Sequence, residues 1–564
     1  MANDLRHVPI ALRRQLFTFP LVGQVKTLGR SICDSISSPT TTGWRQAAFP
    51  ASVSVCAVLL ALIISAPSHA QPVTLRSSDG SVTVSGPLIR FDGNAYVVKS
   101  GANGQLSLPV SDFSCISELC PRPNAFGIHG SNTIGAELMP RLIEAYAQLR
   151  GERVKISNGA SPEVAEIEVL GGDGTTSATI DLQSHGSGTA TPGLASGKAL
   201  IGMASRPLNE GELLQLTKQN LGDMRGPENE HVVGLDGIIV VVSPGNPIAR
   251  LSLRQVEGIF SGVLSDWSQV GGKPGKINVY ARDAKSGTFD TFKTLVLDPG
   301  KQQLVSSARR LESSNELSDL VANDPNGIGF IGFAYLRNAK AISLVNECGM
   351  TFAPSTFDVK TEEYPLSRRL FLYSAKLPAQ SFAAGLVEFS TSLQAQPVVR
   401  HSGFIDRQLQ MQSDRQLSRM ADARPASKQK ERLGDPLAKL ARDIQETSRI
   451  SATMRFRYNS VELDNKALKD IDILADFLQF MRQTKLQQRL VLVGFTDSTG
   501  VPEKNFALSL ERANAVRQTL LRKLRDSHYA KLIEVRGYGP ALAVACNETE
   551  VGRDKNRRVE VWLR

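Results

Sequence analysis

A chain of 564 residues, 41% hydrophobic and 21% charged, is ordinary globular material, long enough for several domains. Its net charge of +10 suits contact with an anionic polymer. Nucleic acid is disfavoured as that polymer, because the sequence has no basic helix, zinc-ligand spacing or interleaving of aromatic and basic residues.

Residues 1–70 read as a leader. They carry Arg6, Arg13, Arg14, Lys26, Arg30 and Arg45, then an apolar run from Ala47 to Ala66, and end in Pro67-Ser68-His69-Ala70. Small residues at Ser68 and Ala70 fit secretory cleavage after Ala70. A run of about twenty apolar residues is also long enough to stay as an uncleaved membrane anchor. Cys33 and Cys56 would leave with a cleaved leader. In an oxidising compartment Cys115 and Cys120 lie close enough for a local disulfide, while Cys348 and Cys546 receive no assignment. The seven histidines are scattered and no His/Cys cluster has metal spacing, so no metal and no cofactor are expected.

Residues 72–122 read as a small β module. Val73–Arg76, Ser81–Val84, Leu88–Phe91, Ala95–Lys99 and Gln105–Val110 are strand-like runs, with Asp79-Gly80 and Asp92-Gly93-Asn94 as turns. The module shows no chemistry of its own.

Residues 123–406 alternate apolar runs with helical patterns, an α/β signature. Three Gly-Ser/Thr turns stand ahead of predicted helices. They are Gly130-Ser131-Asn132-Thr133, His185-Gly186-Ser187-Gly188-Thr189 and Arg282-Asp283-Ala284-Lys285-Ser286-Gly287-Thr288. Glycine permits close approach, the first amides of a helix are unpaired, and the hydroxyls add donors, so each turn suits an anion. His185 is expected to be a solvated loop residue.

Further stretches are Ile201-Gly202-Met203-Ala204-Ser205-Arg206-Pro207-Leu208, Asp236-Gly237 leading into Val240–Val242, Ile259-Phe260-Ser261-Gly262 with Asp266-Trp267, and Asn326-Gly327-Ile328-Gly329-Phe330. With the three turns they resemble the PstS-like phosphate-binding proteins of ABC transporters over most of Asn124–Ser402. The resemblance implies a two-lobed periplasmic-binding-protein fold closing on an oxyanion. Inorganic phosphate would be the ligand and an ABC transporter permease a partner. It carries anion contacts to Ser131, Thr133, Ser187, Arg282, Ser286, Gly287 and Thr288, with Arg282 as the main charge. Some members have an aspartate, the acceptor for the proton of hydrogenphosphate, where Ser205 stands here, and many have an acid where Ala284 stands. Asp236 or Asp283 is then the candidate acceptor.

Residues 407–450 are polar and charged, with Pro425 and Pro436, and read as a linker that is helical around Leu437–Ile444. If flexible, such a linker would span about 35–40 Å.

In residues 451–564, Met454, Phe456 and Tyr458 alternate as in a half-buried strand, and Ala467, Leu468, Ile471, Leu474, Leu478 and Met481 form a helical stripe. The run Leu490–Phe495 ends in the turn Thr496-Asp497-Ser498-Thr499-Gly500. A helix follows whose apolar row, Leu508, Val516 and Leu520, also contains Arg512. Val559, Val561 and Leu563 alternate in a closing strand. The order β-α-β-α-β-β suggests one sheet with helices on one face. Arginine in an apolar row is expensive without a partner, and Asp497 lies at the carboxyl end of a strand, where α/β folds place ligands. The two charges could clasp a zwitterion, the carboxylate taking an ammonium and the guanidinium a carboxylate.

Thr496-Asp497, Gly500, Asn505, Leu508-Ser509, Arg512-Ala513, Gly537-Tyr538-Gly539, Asn547-Glu548-Thr549, and Gly552-Arg553 through Asn556-Arg557-Arg558-Val559-Glu560 resemble the OmpA-like peptidoglycan-binding domain. The resemblance implies an α/β sandwich in which Asp497 and Arg512 bind the diaminopimelate of the wall peptide. Thr496, Asn505, Leu508 and Arg558 are carried over as further peptidoglycan contacts.

These readings together describe a non-enzymatic periplasmic protein, associated with the cell wall or outer membrane. It captures a small oxyanion while held non-covalently on peptidoglycan. An alternative keeps the two-lobed fold only as a scaffold or adhesive surface. A phosphate-ester hydrolase using Ser187 beside His185 lacks a third group to orient the histidine and a metal cluster, so no catalytic residue is expected.

Overall fold

The computed structural model describes residues 72–564 apart from 92–94, 101–103, 110, 118–123, 285, 376, 413–437, 445–446, 457–458, 485 and 487. The expected leader and Cys120 lie outside the described residues. Cys115 is disulfide-bonded. Among the described residues no helix is long and apolar enough to cross a membrane.

Strands Pro72–Ser77, Thr83–Phe91, Ala95–Ser100, Gly104–Pro109 and Phe113–Cys115 make an antiparallel sheet in the spatial order fourth, third, second, first, fifth. Val73, Leu75, Tyr96, Val98 and Leu108 form its core. The runs expected as two strands, Ser81–Val84 and Leu88–Phe91, join into one through Ser85-Gly86-Pro87. Gly86 serves close strand approach here rather than a turn: a Cβ would lie 2.7 Å from the Lys99 carbonyl oxygen.

The two-lobed α/β unit is threaded by one long strand, Glu230–Val242. Its first part pairs antiparallel with Ser367–Ser374, and its last five residues pair with Gly327–Gly332. Because one strand serves both pairings, the lobes share a continuous sheet and meet where the strand changes partner. Lobe one buries Ile128, Leu142, Ile180, Met203, Leu372 and Leu386. Lobe two buries Val240, Ile259, Phe260, Phe292, Phe330 and Leu344, and the Phe292 and Phe330 rings stack 3.9 Å apart. The helices between strands start on side-chain caps, as where Ser252 accepts from Gln255 N and Asn209 from Glu212 N.

The C-terminal sheet runs Met411–Gln412, Ser448–Arg455, Arg558–Leu563, Leu490–Phe495, Ile533–Gly537, with only the last pairing parallel. Helices Asn465–Gln483 and Pro502–Leu524 cover one face through Ile471, Leu474, Leu478, Val516 and Leu520. The expectation of helices on one face alone is corrected by residues 438–444, a helix that lays Leu440 and Ile444 on the opposite face against Val491, Val493 and Trp562. The strand alternation required this, since Val491 and Val493 point away from Leu490 and Leu492 and are equally apolar.

The C-terminal sheet packs directly on the two-lobed unit, and residues 413–437 of the expected linker lie outside the described residues. Arg449 pairs with Glu363 at 2.5 Å, Arg369 with Asp464 at 2.8 Å, and Arg455 donates to the Thr361 carbonyl at 2.6 Å. Asn465 Nδ2 donates to Glu230 Oε1 and to the Arg225 carbonyl at 3.0 and 2.9 Å. Cys348 of lobe two and Cys546 of the C-terminal domain, left unassigned from sequence, form a disulfide.

That bridge closes a loop of 198 residues, so it removes much freedom from the unfolded chain. Replacing both Cys348 and Cys546 with serine should lower stability by about 2–5 kcal/mol, read from denaturant melts under non-reducing conditions. An unchanged midpoint, with both thiols open to alkylation in the native wild-type protein, would mean that the bridge does not form.

Candidate functional site

Three turns deliver hydroxyl groups to one point between the lobes. Ser131 precedes the short helix Asn132–Gly135 and makes no side-chain cap bond. Its Oγ is buried with no hydrogen-bond partner among the described residues. Ser187 opens the next turn and accepts from Ser205 N at 3.0 Å, with its Oγ 3.2 Å from Ser205 Oγ. In lobe two, Ser286 caps helix Gly287–Phe292, accepting from Thr288 N and Phe289 N at 3.2 and 3.4 Å. The lobes meet at Gly287. A Cβ there would lie 2.7 Å from Thr133 Oγ1, 2.9 Å from Ser205 Oγ and 3.4 Å from Ser131 Oγ, so only glycine leaves room between these hydroxyls.

A buried ion pair underlies this point. Asp236 and Arg368 are direct cross-strand partners where the long strand changes neighbours. Arg368 Nε and Nη2 both donate to Asp236 Oδ2, at 3.0 and 2.6 Å. Nη1 donates to the Gly287 carbonyl at 2.6 Å and to Thr291 Oγ1 at 2.8 Å, and Nη2 to Thr288 Oγ1 at 3.2 Å. Asp236 Oδ1 remains buried with no hydrogen-bond partner among the described residues. Tyr335 stands near enough for burial, reinforced by Asp236, to raise its phenol.

Arg282 Nε donates to the Leu311 carbonyl at 3.3 Å, its Nη1 hydrogen-bonds Ser314 Oγ, and Asp283 lies 3.8 Å from its Nη2. Burial pushes the Arg282 guanidinium below its ordinary range; Asp283 and Tyr335 oppose the shift and Arg368 adds to it. The structure therefore brings together Ser131, Thr133, Ser187, Asp236, Ser286, Gly287 and Thr288, and puts Arg368 among them. Arg368 was absent from the sequence reading. The cost argument applied to Arg512, an arginine inside an apolar run, applies equally to Ser367-Arg368-Arg369-Leu370-Phe371 and would have flagged it. His185 is exposed, and Ser187 Oγ bonds to Ser205.

Across the cleft mouth Arg206 of lobe one makes a bidentate pair with Glu212 at 2.8 and 2.9 Å and reaches Asp290 of lobe two at 3.4 Å. The lobes are thus in contact at Gly287 and through Arg206.

The second charge pair lies at the carboxyl end of strand Leu490–Phe495, inside the C-terminal sheet. Asp497 Oδ2 accepts from Arg557 Nη1 at 2.9 Å and Oδ1 from Thr499 N at 2.8 Å. Burial works to raise this carboxyl, but the bonds from Arg557 and Thr499 prevail and hold it below its usual range. Arg512 is buried, donates from Nε to the Ser460 carbonyl at 3.0 Å, and lies 5.2 Å from the Phe456 ring centre. Burial, reinforced by Arg557 and opposed by Asp497, lowers its guanidinium to about 10. Thr496 Oγ1 is buried without a hydrogen-bond partner among the described residues, Asn505 braces the turn through the Thr499 carbonyl at 3.0 Å, and Leu508 is half-buried. Arg558, expected here, is committed elsewhere: it pairs with Glu560 at 2.6 Å and donates to the Leu542 carbonyl at 2.9 Å. Arg557, the C-cap of helix Glu550–Asn556, is the one that reaches Asp497, while Arg558 opens the strand that follows.

Residues 165–393 match the PBP superfamily domain and residues 455–557 match the OmpA family. The phosphate-binding protein PstS of Borreliella burgdorferi is 26% identical over 237 residues, which is 41% of this chain and 80% of that protein. PstS of Pseudomonas aeruginosa is 29% identical over 248 residues, 40% of this chain and 73% of its own length. An ABC-type phosphate transport receptor from Vibrio cholerae is a structural neighbour at 25% identity and a TM-score of 0.38, covering 50% of this chain and 99% of that one.

Arg368→Ala would strand the Asp236 carboxylate without a cation. It should cost about 3–5 kcal/mol of stability, whereas the apolar pair Asp236→Leu with Arg368→Met should recover most of that loss. Denaturant melts check this, and equal losses in the single and paired replacements would remove the ion pair as the cause.

Proposed function

We propose that this chain, which joins a PBP superfamily domain to an OmpA family domain, binds a tetrahedral oxyanion between its two lobes while holding itself on peptidoglycan in the cell envelope. Phosphate is the proposed anion. One observation carries the reading. The hydroxyls of Ser131, Thr133 and Ser205 converge on Gly287 of the third turn, with Ser187 bonded to Ser205 behind them, over a buried pair whose carboxylate keeps one oxygen unpartnered among the described residues. Buried polar atoms are costly unless they are hydrogen-bonded, so Ser131 Oγ and Asp236 Oδ1 mark where a ligand would complete the set.

The two atoms differ in chemistry. A serine hydroxyl can donate to an anion oxygen. A carboxylate oxygen can only accept, so it favours an anion that still carries a proton. Asp236 then takes the acceptor role sought from the sequence, and hydrogenphosphate is preferred over sulfate. Arg368 adds its charge from beneath the site, its N–H groups already given to Asp236, Gly287, Thr291 and Thr288, and Arg282 keeps the proposed role of main charge. The curated relatives carry the name phosphate-binding protein, which supports a binder rather than an enzyme. In this reading an ABC transporter permease is the partner that would receive the anion.

In the C-terminal domain, the buried Asp497 carboxylate and the Arg512 guanidinium offer the two opposite charges that a zwitterionic diaminopimelate requires. Arg557 holds the carboxylate ionised, and the Phe456 ring orients the guanidinium. Thr496 Oγ1 adds a hydroxyl beside them. The domain would thereby anchor the chain to the wall without a covalent bond.

Calorimetric titration of the chain with phosphate and sulfate tests the first half. Phosphate should bind and sulfate should bind more weakly. Asp236→Asn should erase about ten- to a hundredfold of that preference, the worth of one hydrogen bond to a charged group. If neither anion gives heat or a thermal shift, the two-lobed unit is a scaffold and the anion reading fails. Co-sedimentation with purified peptidoglycan tests the second half. Asp497→Ala and Arg512→Ala should each abolish sedimentation while circular dichroism stays native, because losing one member of such a pair costs about 2–5 kcal/mol. Folded variants that sediment like wild type would remove these residues from the wall contact.

A further inference from the structure

We propose that the anion cleft and the wall-peptide site are positively coupled through residues 459–465. Anion closure of the lobes then tightens the grip of Arg512 on the wall peptide. The inference rests on the two binding sites proposed above, and goes beyond them by linking their occupancies.

The link begins at two successive arginines. Arg368 and Arg369 are neighbours on strand Ser367–Ser374 and therefore point to opposite faces. Arg368 turns inward to Asp236 and Gly287. Arg369 turns outward, making a bidentate pair with Glu362 at 2.5 and 2.9 Å and reaching Asp464 of the C-terminal domain at 2.8 Å. A cavity of about 260 Å³ lies between these two sets of contacts, lined by Ser205, Thr291, Arg368, Arg369 and Glu362. The two arginines thus border the same open pocket from opposite faces of the strand.

Asp464 is the N-cap of helix Asn465–Gln483, accepting from Ala467 N at 2.8 Å. The next residue, Asn465, bonds lobe one at Glu230 and Arg225. The helix start is therefore held by the hinge strand through Asp464 and by lobe one through Asn465. On its other side, Ser460 presents the carbonyl that receives Arg512 Nε at 3.0 Å. Four residues separate a contact made by the anion module from a contact that positions the wall-binding arginine.

The Cys348–Cys546 disulfide gives this arrangement its direction. It ties the C-terminal domain to lobe two. When a two-lobed protein closes, lobe one rotates relative to lobe two about the hinge. Lobe two carries the C-terminal domain with it, so relative motion is taken up where lobe one touches helix Asn465–Gln483, at Asn465 and, through Arg407, at Asp470. In the described arrangement the lobes are in contact across Gly287 and through Arg206 and Asp290, and the Asn465 contacts are made. The closed arrangement is accordingly the one in which Ser460 is held against Arg512, so closure favours wall binding. Coupling of binding free energies is reciprocal, so the wall peptide must tighten anion binding by the same factor.

The test uses the full chain, inorganic phosphate and a soluble muropeptide containing diaminopimelate. Each dissociation constant is measured by calorimetry alone and with the other ligand saturating. Phosphate should tighten muropeptide binding by about fivefold or more, and muropeptide should tighten phosphate binding by an equal factor. Asn465→Ala touches neither ligand. It should leave each single-ligand constant within about twofold and bring the coupling factor to one. A factor of one in the wild type, or mutual weakening, overturns the coupling while leaving both binding sites standing. Loss of either single-ligand signal in the wild type overturns the underlying binding reading and the coupling with it.

Discussion

Asp236 and Arg368 face each other across two antiparallel strands, both shielded from water. Moving each charge out of water costs several kcal/mol, so the pair persists only because its geometry is close and its remaining donors are used. Arg368 uses them on the first turn of helix Gly287–Phe292. One guanidinium thereby sets the position of the lobe-two anion turn against the sheet that carries the lobe-one turns. The separation of Gly287 from Ser131, Thr133 and Ser205 follows from that contact. So does the hinge, because the pair sits where strand Glu230–Val242 leaves one lobe's sheet for the other's.

The same chemistry recurs at the junction with the C-terminal domain. Glu362 and Glu363 face Arg369, Arg449 and Arg455. Burial alone would raise the Glu362 carboxyl, yet Arg369 first, then Lys466 and Arg455, hold it well below its usual range. Such networks add little net stability compared with apolar packing of the same volume, but one wrong register would leave a buried charge alone. They therefore specify how the domains sit, while the disulfide and the strand Met411–Gln412 along the C-terminal sheet add connection. The two-lobed unit and the C-terminal domain are joined by ion pairs, backbone hydrogen bonds and the disulfide.

Much of this was legible in the residues. The strand and helix periods of the C-terminal domain, the three Gly-Ser/Thr turns, and the placing of Asp497 at a strand end all follow from local pattern, and the structure brings most of the named hydroxyls together. What the residues did not show has specific causes. Gly86 and Pro87 look like a turn, but Gly86 is a glycine because a neighbouring carbonyl passes too close for a side chain. Arg282 carries a full charge in the expected loop, and the bonds of its Nε and Nη1 to Leu311 and Ser314 are tertiary contacts that no local pattern shows. Arg558, carried over as a wall contact, is taken up by Glu560 and the Leu542 carbonyl, and it is Arg557, at the end of the preceding helix, that meets Asp497.

What the sequence determined by itself is whatever depends on neighbours a few residues apart: amphipathic helices, alternating strands, capped helix starts, and turns rich in amides and hydroxyls. The tertiary structure decided the partners. Asp236 and Arg368 are 132 residues apart, Asp497 and Arg557 60, and Cys348 and Cys546 198. A charge or thiol can show in sequence that it needs a partner, because burying it alone is too costly. Which partner it finds depends on which strands lie side by side, and that order is set by the packing of whole sheets rather than by any local period.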